Sequence, residues 1–187
     1  MSLKNFQQVG KDLFLAGLNN SHSGNISIRL GDKMLITRTG AMLHHITESD
    51  LIKTSILIED ENIKKASREY PVHKAIYKAT NAKAIVHAHS PYLVAQTYNT
   101  EKFKPIDAEG NLYFPNGVPV IITEKTIASY EVGELASEHL KQIPAIIVRS
   151  HGVFAIGQSL EEAYKYVCSL EHSAKIKFLN QISKIRN

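Results

Sequence analysis

The sequence contains a single cysteine and no long apolar segment, and these absences limit the kind of protein it can encode. Because Cys168 is the one cysteine among 187 residues, an internal disulfide framework is excluded. No apolar run approaches the roughly 20 residues that cross a bilayer. The N-terminal stretch "MSLKNFQQVGKDLF" lacks the apolar core of a signal peptide. We therefore expect a cytoplasmic protein that has no membrane partner.

The sequence also lacks internal repeats, low-complexity segments and linkers rich in proline, glycine or serine. Residues 1–187 are predicted to form a single domain, because this length supports one substantial core rather than two. The net charge is +4, and the basic residues are spread along the chain instead of forming a stripe with aromatic residues. This pattern does not predict a nucleic-acid partner, whereas a mildly basic surface favours a phosphorylated substrate.

Segments with helical and strand-like patterns alternate along the chain. Helical periodicity is found in "LKNFQQVGKDLFLAGL", "PVHKAIYKAT" and the long segment that follows Ser159, where Ser159 and Glu162 have the spacing of a capping box. The predicted strands are "ISIRL" and "KMLITRT", which form a hairpin, and "AIVHAH", "VPVII", "AIIV" and "VFAIG". Strands that alternate with helices while some pair as hairpins predict an α/β layered domain with a mixed sheet.

The segment "AIVHAHS", residues 84–90, places two histidines one residue apart. Successive side chains of a strand point to opposite faces, so His87 and His89 share one face. The small apolar residues Ala84, Val86 and Ala88 take the other face. Buried imidazoles need hydrogen-bond partners, and two parallel imidazoles form half of a metal site. Taken alone, the spacing leaves a metal site and two ordinary histidines equally open.

A third histidine occupies a similar position near the end of a strand. His151 follows the apolar run "AIIV" and precedes Gly152, which permits a tight loop at a sheet edge. With His87 and His89 it would form a three-histidine site with an open fourth position, which is the arrangement of a catalytic zinc. By itself, His151 is equally compatible with a loop residue bonded to the backbone.

Glu69 and three polar loops add candidate groups for catalysis and anion binding. Glu69 precedes the helix that begins near Pro71, where the helix dipole favours an ionised carboxylate. It is a candidate metal ligand or general base, or simply a charge at a helix N-terminus. The loops "SHSGN", "TRTG" and "ASRE" carry hydroxyls, an amide, an arginine and glycine N–H groups, which bind a phosphate monoester. Each loop alone is an ordinary turn, but beside a metal site they predict a phosphate anchor.

Five segments, in this order, resemble the class II aldolase/adducin family: "SGNISIR", "ITRTG", "SREYPVHKAIY", "AIVHAHS" and "SHGVFAIG". The resemblance extends over nearly the whole chain. It implies a three-layer α/β/α domain around a central, largely antiparallel mixed sheet. It also implies a homo-oligomer, often a fourfold-symmetric tetramer with sites between subunits.

The resemblance assigns roles to individual residues. His87, His89 and His151 match the three zinc-binding histidines of the family, with Co²⁺ or Mn²⁺ as alternative metals. Glu69 matches the glutamate that serves as metal ligand and as acid/base. The residues that match positions holding the substrate phosphate are Asn25, Thr39, Gly40 and Ser67, and Arg68 stands where the family's aldolases have a second serine.

The chain departs from the family pattern after the strand that carries His87. In the family's aldolases, the loop that follows this strand carries a tyrosine, which protonates the aldehyde oxygen. The segment "KPIDAEGNLYF" instead offers Asp107, Ala108 or Glu109 near that place, with Tyr113 a few residues further on. We expect Glu109 to handle this proton, with Tyr113 as the alternative.

The resemblance implies a metal-dependent aldolase that cleaves a ketose 1-phosphate, such as L-fuculose 1-phosphate, to dihydroxyacetone phosphate and an aldehyde through a zinc-stabilised enediolate. Two other reactions of the family use the same kind of site, those of a methylthioribulose-1-phosphate dehydratase and a ribulose-phosphate 4-epimerase. A non-catalytic, adducin-like interaction module is a further alternative. The presence of the three histidines and Glu69 argues against it.

Overall fold

One eight-stranded sheet organises the chain in the computed structural model, which describes residues 3–185. The strands are β1 (Asn25–Leu30), β2 (Lys33–Thr37), β3 (Leu51–Ser55), β4 (Ala84–Ala88), β5 (Lys102–Phe103), β6 (Val118–Ile121), β7 (Ala145–Val148) and β8 (Gly152–Gly157). Their order across the sheet is β3-β2-β1-β4-β8-β7-β6-β5. All neighbouring pairs are antiparallel except β6 and β7, which are parallel. The predicted mixed, largely antiparallel sheet is confirmed.

Helices connect the strands and cover the sheet. The α-helices of the described range are α1 (Leu3–Leu15), α2 (Tyr70–Ala79), α3 (Pro91–Ala95), α4 (Ala108–Tyr113), α5 (Tyr130–His139) and α6 (Leu160–Ile185). Three short 3₁₀ turns span Leu43–His45, Glu48–Asp50 and Glu61–Lys64. Between residues 3 and 185, no helix is both long and apolar enough to cross a membrane.

Alternation along β4 shows how the two faces of the sheet build two cores. Val86 belongs to the cluster that α1, α3 and α6 cover, together with Ala84 and Ala88 on the same side of β4. Ile85 points the other way, into the cluster that α2 and α5 cover. Each such large apolar side chain contributes about 1.5–3 kcal/mol on full burial. The result is the predicted three-layer α/β/α arrangement.

Local sequence features set the ends of several helices. Pro71 lies in the first turn of α2, as predicted. At the start of α6 the Glu162 N–H donates to Ser159 Oγ at 3.1 Å, but the Glu162 carboxylate accepts from the N–H of Gln158 instead of that of Ser159. The segment "KPIDAEGNLYF", which was expected to be a loop, contains α4, because the Asp107 carboxylate caps it by accepting from the Gly110 N–H.

Candidate active site

Three histidines converge where β4 ends and β8 begins. The candidate ligand atoms of His87, His89 and His151 all lie within 4.8 Å of one another, and the Nε2 atoms of His87 and His89 are 3.0 Å apart. Two nitrogens on one tetrahedral zinc, at about 2.1 Å from the metal, lie about 3.4 Å apart. The predicted convergence is therefore confirmed, and the cluster has the spacing needed to hold one divalent metal.

The fold sets the orientation of His87 before any ligand is considered. Its Nδ1–H donates to the carbonyl of Val153 at 3.0 Å, and its ring stacks on Phe154 with centroids 4.0 Å apart. A carbonyl oxygen can only accept, so the proton of the neutral ring lies on Nδ1 and Nε2 keeps its lone pair. That lone pair points toward His89, as a metal ligand requires.

His89 and His151 are held through their backbones. The N–H of His89, directly after β4, donates to Asn19 Oδ1 at 2.9 Å. The N–H of His151 donates to the carbonyl of Val148 at 3.1 Å across the β7–β8 turn. Ser150 in that turn has a φ of +57°, in the left-handed region that L-residues rarely adopt. The turn therefore has a strained backbone conformation, which directs His151 toward the other two histidines.

All three histidines are in the state that metal binding needs. Burial lowers the pKa of His151 to about 4 and lowers the pKa of His89. Burial, followed by the nearby His151 and His89, lowers the pKa of His87 well below its ordinary value. At neutral pH the rings are therefore uncharged and their lone pairs are available without loss of a proton.

Glu69 lies beside the cluster, with Oε1 at 4.0 Å from His151 Nε2. Oε1 also accepts from the Ala128 N–H at 2.9 Å, while the buried Oε2 has no hydrogen-bond partner among the described residues. Burial raises the pKa of Glu69, and the Ala128 N–H opposes that shift. The helix dipole is predicted to favour the ionised carboxylate, and desolvation acts against that effect. A buried carboxylate oxygen without a donor fits an adjacent cation.

A cavity of about 290 Å³ joins the histidines to the three polar loops. The predicted site residues that line it are Asn25, Thr39, Gly40, Ser67, Arg68, Glu69, His87, His89 and His151. Further lining residues, to which the sequence patterns assigned no role, are His22, Ser23, Gly24, Arg38, Ala41 and Ile127. Most of these additional residues lie in or next to the loops "SHSGN" and "TRTG", so the loop sequences already indicated which residues line the cavity. Nothing in the sequence pointed to Ile127.

Comparison with known proteins agrees with this geometry. Residues 4–178 match the family described as Class II Aldolase and Adducin N-terminal domain. The chain belongs to this class II aldolase family. It is 32% identical over 190 residues to an L-fuculose phosphate aldolase of Methanocaldococcus jannaschii, covering 98% of this chain and 99% of that protein. The family and its relatives make the chain an enzyme of the lyase class.

The chain is also similar to a decarboxylase and to an aldolase of known structure. A 3-oxo-tetronate 4-phosphate decarboxylase of Haemophilus influenzae is 32% identical over 187 residues, covering 96% of this chain and 88% of that protein. The crystal structure of L-fuculose-1-phosphate aldolase from Thermus thermophilus superposes with a TM-score of 0.94 at 33% identity, covering 99% of this chain and 96% of that one. The layered fold therefore matches a solved member of the family.

Backbone hydrogen bonds hold the polar loops of this lyase together. The Ser67 N–H donates to the Thr37 carbonyl at 3.0 Å, and the Thr39 N–H donates to the Lys65 carbonyl at 3.3 Å. The Thr39 hydroxyl donates to the Ala66 carbonyl at 2.8 Å, so its proton is already engaged. Among the described residues, Ser67 Oγ only accepts, from the N–H of Glu69 at 3.2 Å. The Ser67 hydroxyl proton is therefore available to an anion in the cavity.

Two arginines bring positive charge to the cavity of the lyase. Arg38 Nε pairs with Asp50 at 2.8 Å, and its Nη1 donates to the carbonyl of Thr39 at 2.9 Å. Arg68 is exposed and lines the same cavity. Because Arg38 is partly neutralised by its carboxylate partner, Arg68 is the better candidate to meet a doubly charged phosphate.

Glu109 and Tyr113 do not line this cavity. Both lie on α4, which packs on α6 in the other helical layer. Glu109 is exposed and lines a separate cavity of about 830 Å³ with residues of α6. The ring of Tyr113 lies 5.8 Å from that of Tyr166. A single chain therefore does not bring either residue to the histidines, and their predicted role would require another copy of the chain.

Proposed function

We propose that this lyase is a zinc-dependent aldolase that cleaves a ketose 1-phosphate, such as L-fuculose 1-phosphate, to dihydroxyacetone phosphate and an aldehyde. One observation carries the proposal: a single cavity joins three neutral histidines, a buried carboxylate and a set of phosphate-binding donors. The similarity to the two L-fuculose phosphate aldolases supports the choice of substrate class.

His87, His89 and His151 would hold the metal, and Glu69 is close enough to be a further ligand. Zn²⁺, or Co²⁺ or Mn²⁺ in its place, supplies a Lewis acid that polarises the carbonyl and hydroxyl oxygens of the substrate. The protein contributes a fixed His87 tautomer and uncharged rings. No protein Schiff base is needed for this chemistry.

Glu69 is the proposed acid/base at the reacting carbon. Cleavage leaves the dihydroxyacetone phosphate half as an enediolate, which must then gain a proton on carbon. The raised pKa of the buried Glu69 carboxyl makes it a better proton donor at neutral pH than an exposed glutamate. Its contact with the Ala128 N–H keeps one oxygen in place while the unpartnered oxygen is free to exchange the proton.

The phosphate is proposed to bind at the polar loops that line the cavity. Ser67 offers its hydroxyl proton, and Asn25 and Arg68 contribute an amide and a guanidinium group. Gly40 has a φ of +71°, which lets the loop expose its backbone with no side chain in the way. Thr39 lines the cavity with a hydroxyl that already donates elsewhere, so we assign it a contact role at the phosphate rather than a proton-donating one.

Within one chain, neither residue expected to handle the proton on the leaving aldehyde's oxygen lines the cavity. We propose that Glu109 or Tyr113 of a second copy serves this role in a homotetramer with sites between subunits, as the family resemblance implies. Both residues lie on α4, which has surface exposed for such a contact.

Decarboxylation is a second candidate, which the similarity to a 3-oxo-tetronate 4-phosphate decarboxylase favours. Loss of carbon dioxide from a 3-oxo-tetronate 4-phosphate leaves the same enediolate of dihydroxyacetone phosphate. The residues assigned to the phosphate and to carbon protonation would therefore act unchanged. The two reactions differ in whether an aldehyde or carbon dioxide leaves.

The deciding experiment identifies the products that zinc-loaded protein forms from a panel of ketose 1-phosphates that includes methylthioribulose 1-phosphate, from a ribulose phosphate and from a 3-oxo-tetronate 4-phosphate. The rate of dihydroxyacetone phosphate formation is measured for each substrate that is cleaved. Glu69→Gln should lower the rate by about a hundredfold or more, as for loss of a general acid/base. Glu171→Gln is the matched control, because Glu171 is another buried carboxylate that accepts backbone N–H groups, on α6 and away from the cavity.

Each outcome of this assay assigns a reaction. Aldehyde formation from a ketose 1-phosphate supports the aldolase, and carbon dioxide release supports the decarboxylase. Loss of water from methylthioribulose 1-phosphate, or epimerisation of a ribulose phosphate, without cleavage would replace the proposal with one of those reactions. Equal rates for Glu69→Gln and Glu171→Gln would remove Glu69 from the mechanism.

A further inference from the structure

A buried chain of hydrogen bonds lies behind Asn25, outside the cavity. Asn25 Oδ1 is 2.6 Å from His73 Nε2, and His73 Nδ1 is 2.7 Å from Ser27 Oγ. Ser27 Oγ is in turn 2.8 Å from the hydroxyl of Tyr77. His73, Ser27 and Tyr77 are almost completely buried, at 0%, 0% and 1% exposure, and none of them lines the cavity. Substrate does not reach these three residues, and among the described residues the one side-chain hydrogen bond from them to a residue lining the cavity is that of His73 to Asn25.

Counting the protons of these groups shows which group donates in each of these hydrogen bonds. Within residues 3–185, Ser27 is the one hydrogen-bond partner of the Tyr77 hydroxyl, so that buried O–H must donate to Ser27 Oγ or stay unpaired. Ser27 then has its own proton for His73 Nδ1. His73 accepts at Nδ1, and its remaining proton lies on Nε2 and is donated to Asn25 Oδ1.

The opposite direction leaves a group unpaired. If His73 carried its proton on Nδ1, Ser27 would donate to Tyr77, and the Tyr77 proton would have no acceptor among the described residues. Leaving a buried donor unpaired is costly, so the direction that begins at Tyr77 is the favoured one. The Asn25 carbonyl oxygen is then occupied by His73, and the two N–H groups of its amide are left for the cavity.

We infer that His73 is a positioning residue that turns the Asn25 amide so that its N–H groups, and not its carbonyl oxygen, face the bound phosphate. The inference rests on the proposed phosphate site in so far as it concerns function. A reversed amide would direct a carbonyl oxygen at an anion, which repels it, while the amide N–H groups attract it. The chain from Tyr77 thus selects for an anionic group at this end of the cavity.

The first test is the tautomer of His73, measured by long-range ¹H–¹⁵N NMR on the protein without added substrate. We expect a proton on Nε2 and a bare Nδ1. Ser27→Ala removes the hydroxyl that selects this tautomer and should yield a mixture. Ser137→Ala is the matched control, because Ser137 is also buried but donates to the Gly133 carbonyl on α5, and it should leave the tautomer unchanged. A wild-type protein with the proton on Nδ1 would overturn the inference.

The second test is the affinity for inorganic phosphate, measured by titration calorimetry on the zinc-loaded protein. His73→Gln retains an N–H donor for Asn25 and should bind within about threefold of wild type, whereas His73→Leu should bind roughly tenfold or more weakly, which corresponds to one lost charge-assisted hydrogen bond. His73→Leu leaves Ser27 without an acceptor, whereas the amide oxygen of His73→Gln can accept from it. The stability of both variants is therefore measured by urea denaturation, and phosphate is titrated where both are folded, so that a stability difference cannot produce the affinity difference. Equal phosphate affinities in both variants would overturn the inference.

The two tests separate the inference from the proposed function. If the wild type binds no phosphate but His73 has the expected tautomer, the phosphate site is refuted while the orientation of Asn25 stands. If phosphate binds well and the tautomer is the opposite one, the phosphate site stands and the positioning role of His73 is lost.

Discussion

Gly152→Ala tests the claim that close approach of β8 to β4 builds the metal site. A Cβ at position 152 would lie 2.2 Å from the Ala88 carbonyl oxygen and 3.1 Å from Cε1 of His87. The first contact is to backbone, so it cannot be relieved by turning a side chain. The strands would have to separate by at least about 1.2 Å before this contact, at 2.2 Å, reached an ordinary van der Waals distance of 3.4 Å.

The size of the effect follows from the groups that this separation disturbs. Overpacking of this kind costs about 1–3 kcal/mol. The bond from His87 Nδ1 to Val153, the residue after Gly152, would be stretched and its contribution of about 1 kcal/mol lost. We expect the free energy of unfolding to fall by about 2–4 kcal/mol. Zinc affinity should fall by roughly 10- to 100-fold, because that bond fixes the orientation of a ligand.

Urea denaturation in the presence of a chelator measures the first quantity without any contribution from metal, and zinc titration against a competing chelating dye measures the second. Gly31→Ala is the control, because Gly31 has a φ of +61° in the β1–β2 turn and no atom within 4 Å of an added Cβ. It should cost about 1 kcal/mol and leave zinc affinity unchanged. Gly152→Ala with wild-type stability and zinc affinity would refute the packing argument.

Two further predictions concern histidines. His87→Ala/His89→Ala should abolish stoichiometric zinc binding, measured by elemental analysis after dialysis, whereas His139→Ala on α5 should not; retention of zinc by the double variant would contradict the assigned site. Burial lowers the pKa of His73 to about 3, so between about pH 6.5 and 3 the unfolded chain binds more protons and stability falls on acidification, by up to about 1.4 kcal/mol per pH unit. Urea denaturation of wild type and of His73→Gln, with chelator at pH 7 to 5, measures the free energy of unfolding against pH. Its slope should be smaller for the variant, and parallel curves would refute this prediction.

Local patterns were sufficient to predict much of the fold and the histidine cluster. The alternation in "AIVHAH" placed His87 opposite the core residues Ala84 and Val86, and the structure has that arrangement. His89 was predicted from the same alternation. His151 was predicted from its position after an apolar strand, because the last side chains of a strand lie at the edge of the sheet where ligands collect.

Other features depend on long-range contacts that a sequence pattern does not contain. His73 has the spacing of an ordinary helical residue, and its partner Asn25 is 48 positions away in the chain. The capping of α4 by Asp107 involves a single carboxylate in a segment with no clear periodicity. The placement of Glu109 and Tyr113 relative to the histidines depends on which layer α4 joins and on contacts with any neighbouring copy of the chain. The local order of residues predicts neither the layer nor those contacts.

Helix α2 connects the two halves of the proposed chemistry. Glu69 precedes its first turn, and His73 follows one turn later, with the His73 N–H donating to the Glu69 carbonyl at 3.1 Å. The proposed acid/base and the imidazole that contacts Asn25 are therefore carried by one helix. A site on regular structure holds its groups within a few tenths of an ångström more readily than one on loops. A shift of α2 would therefore disturb the proposed acid/base and the orientation of the Asn25 amide together, although Asn25 itself is held on β1.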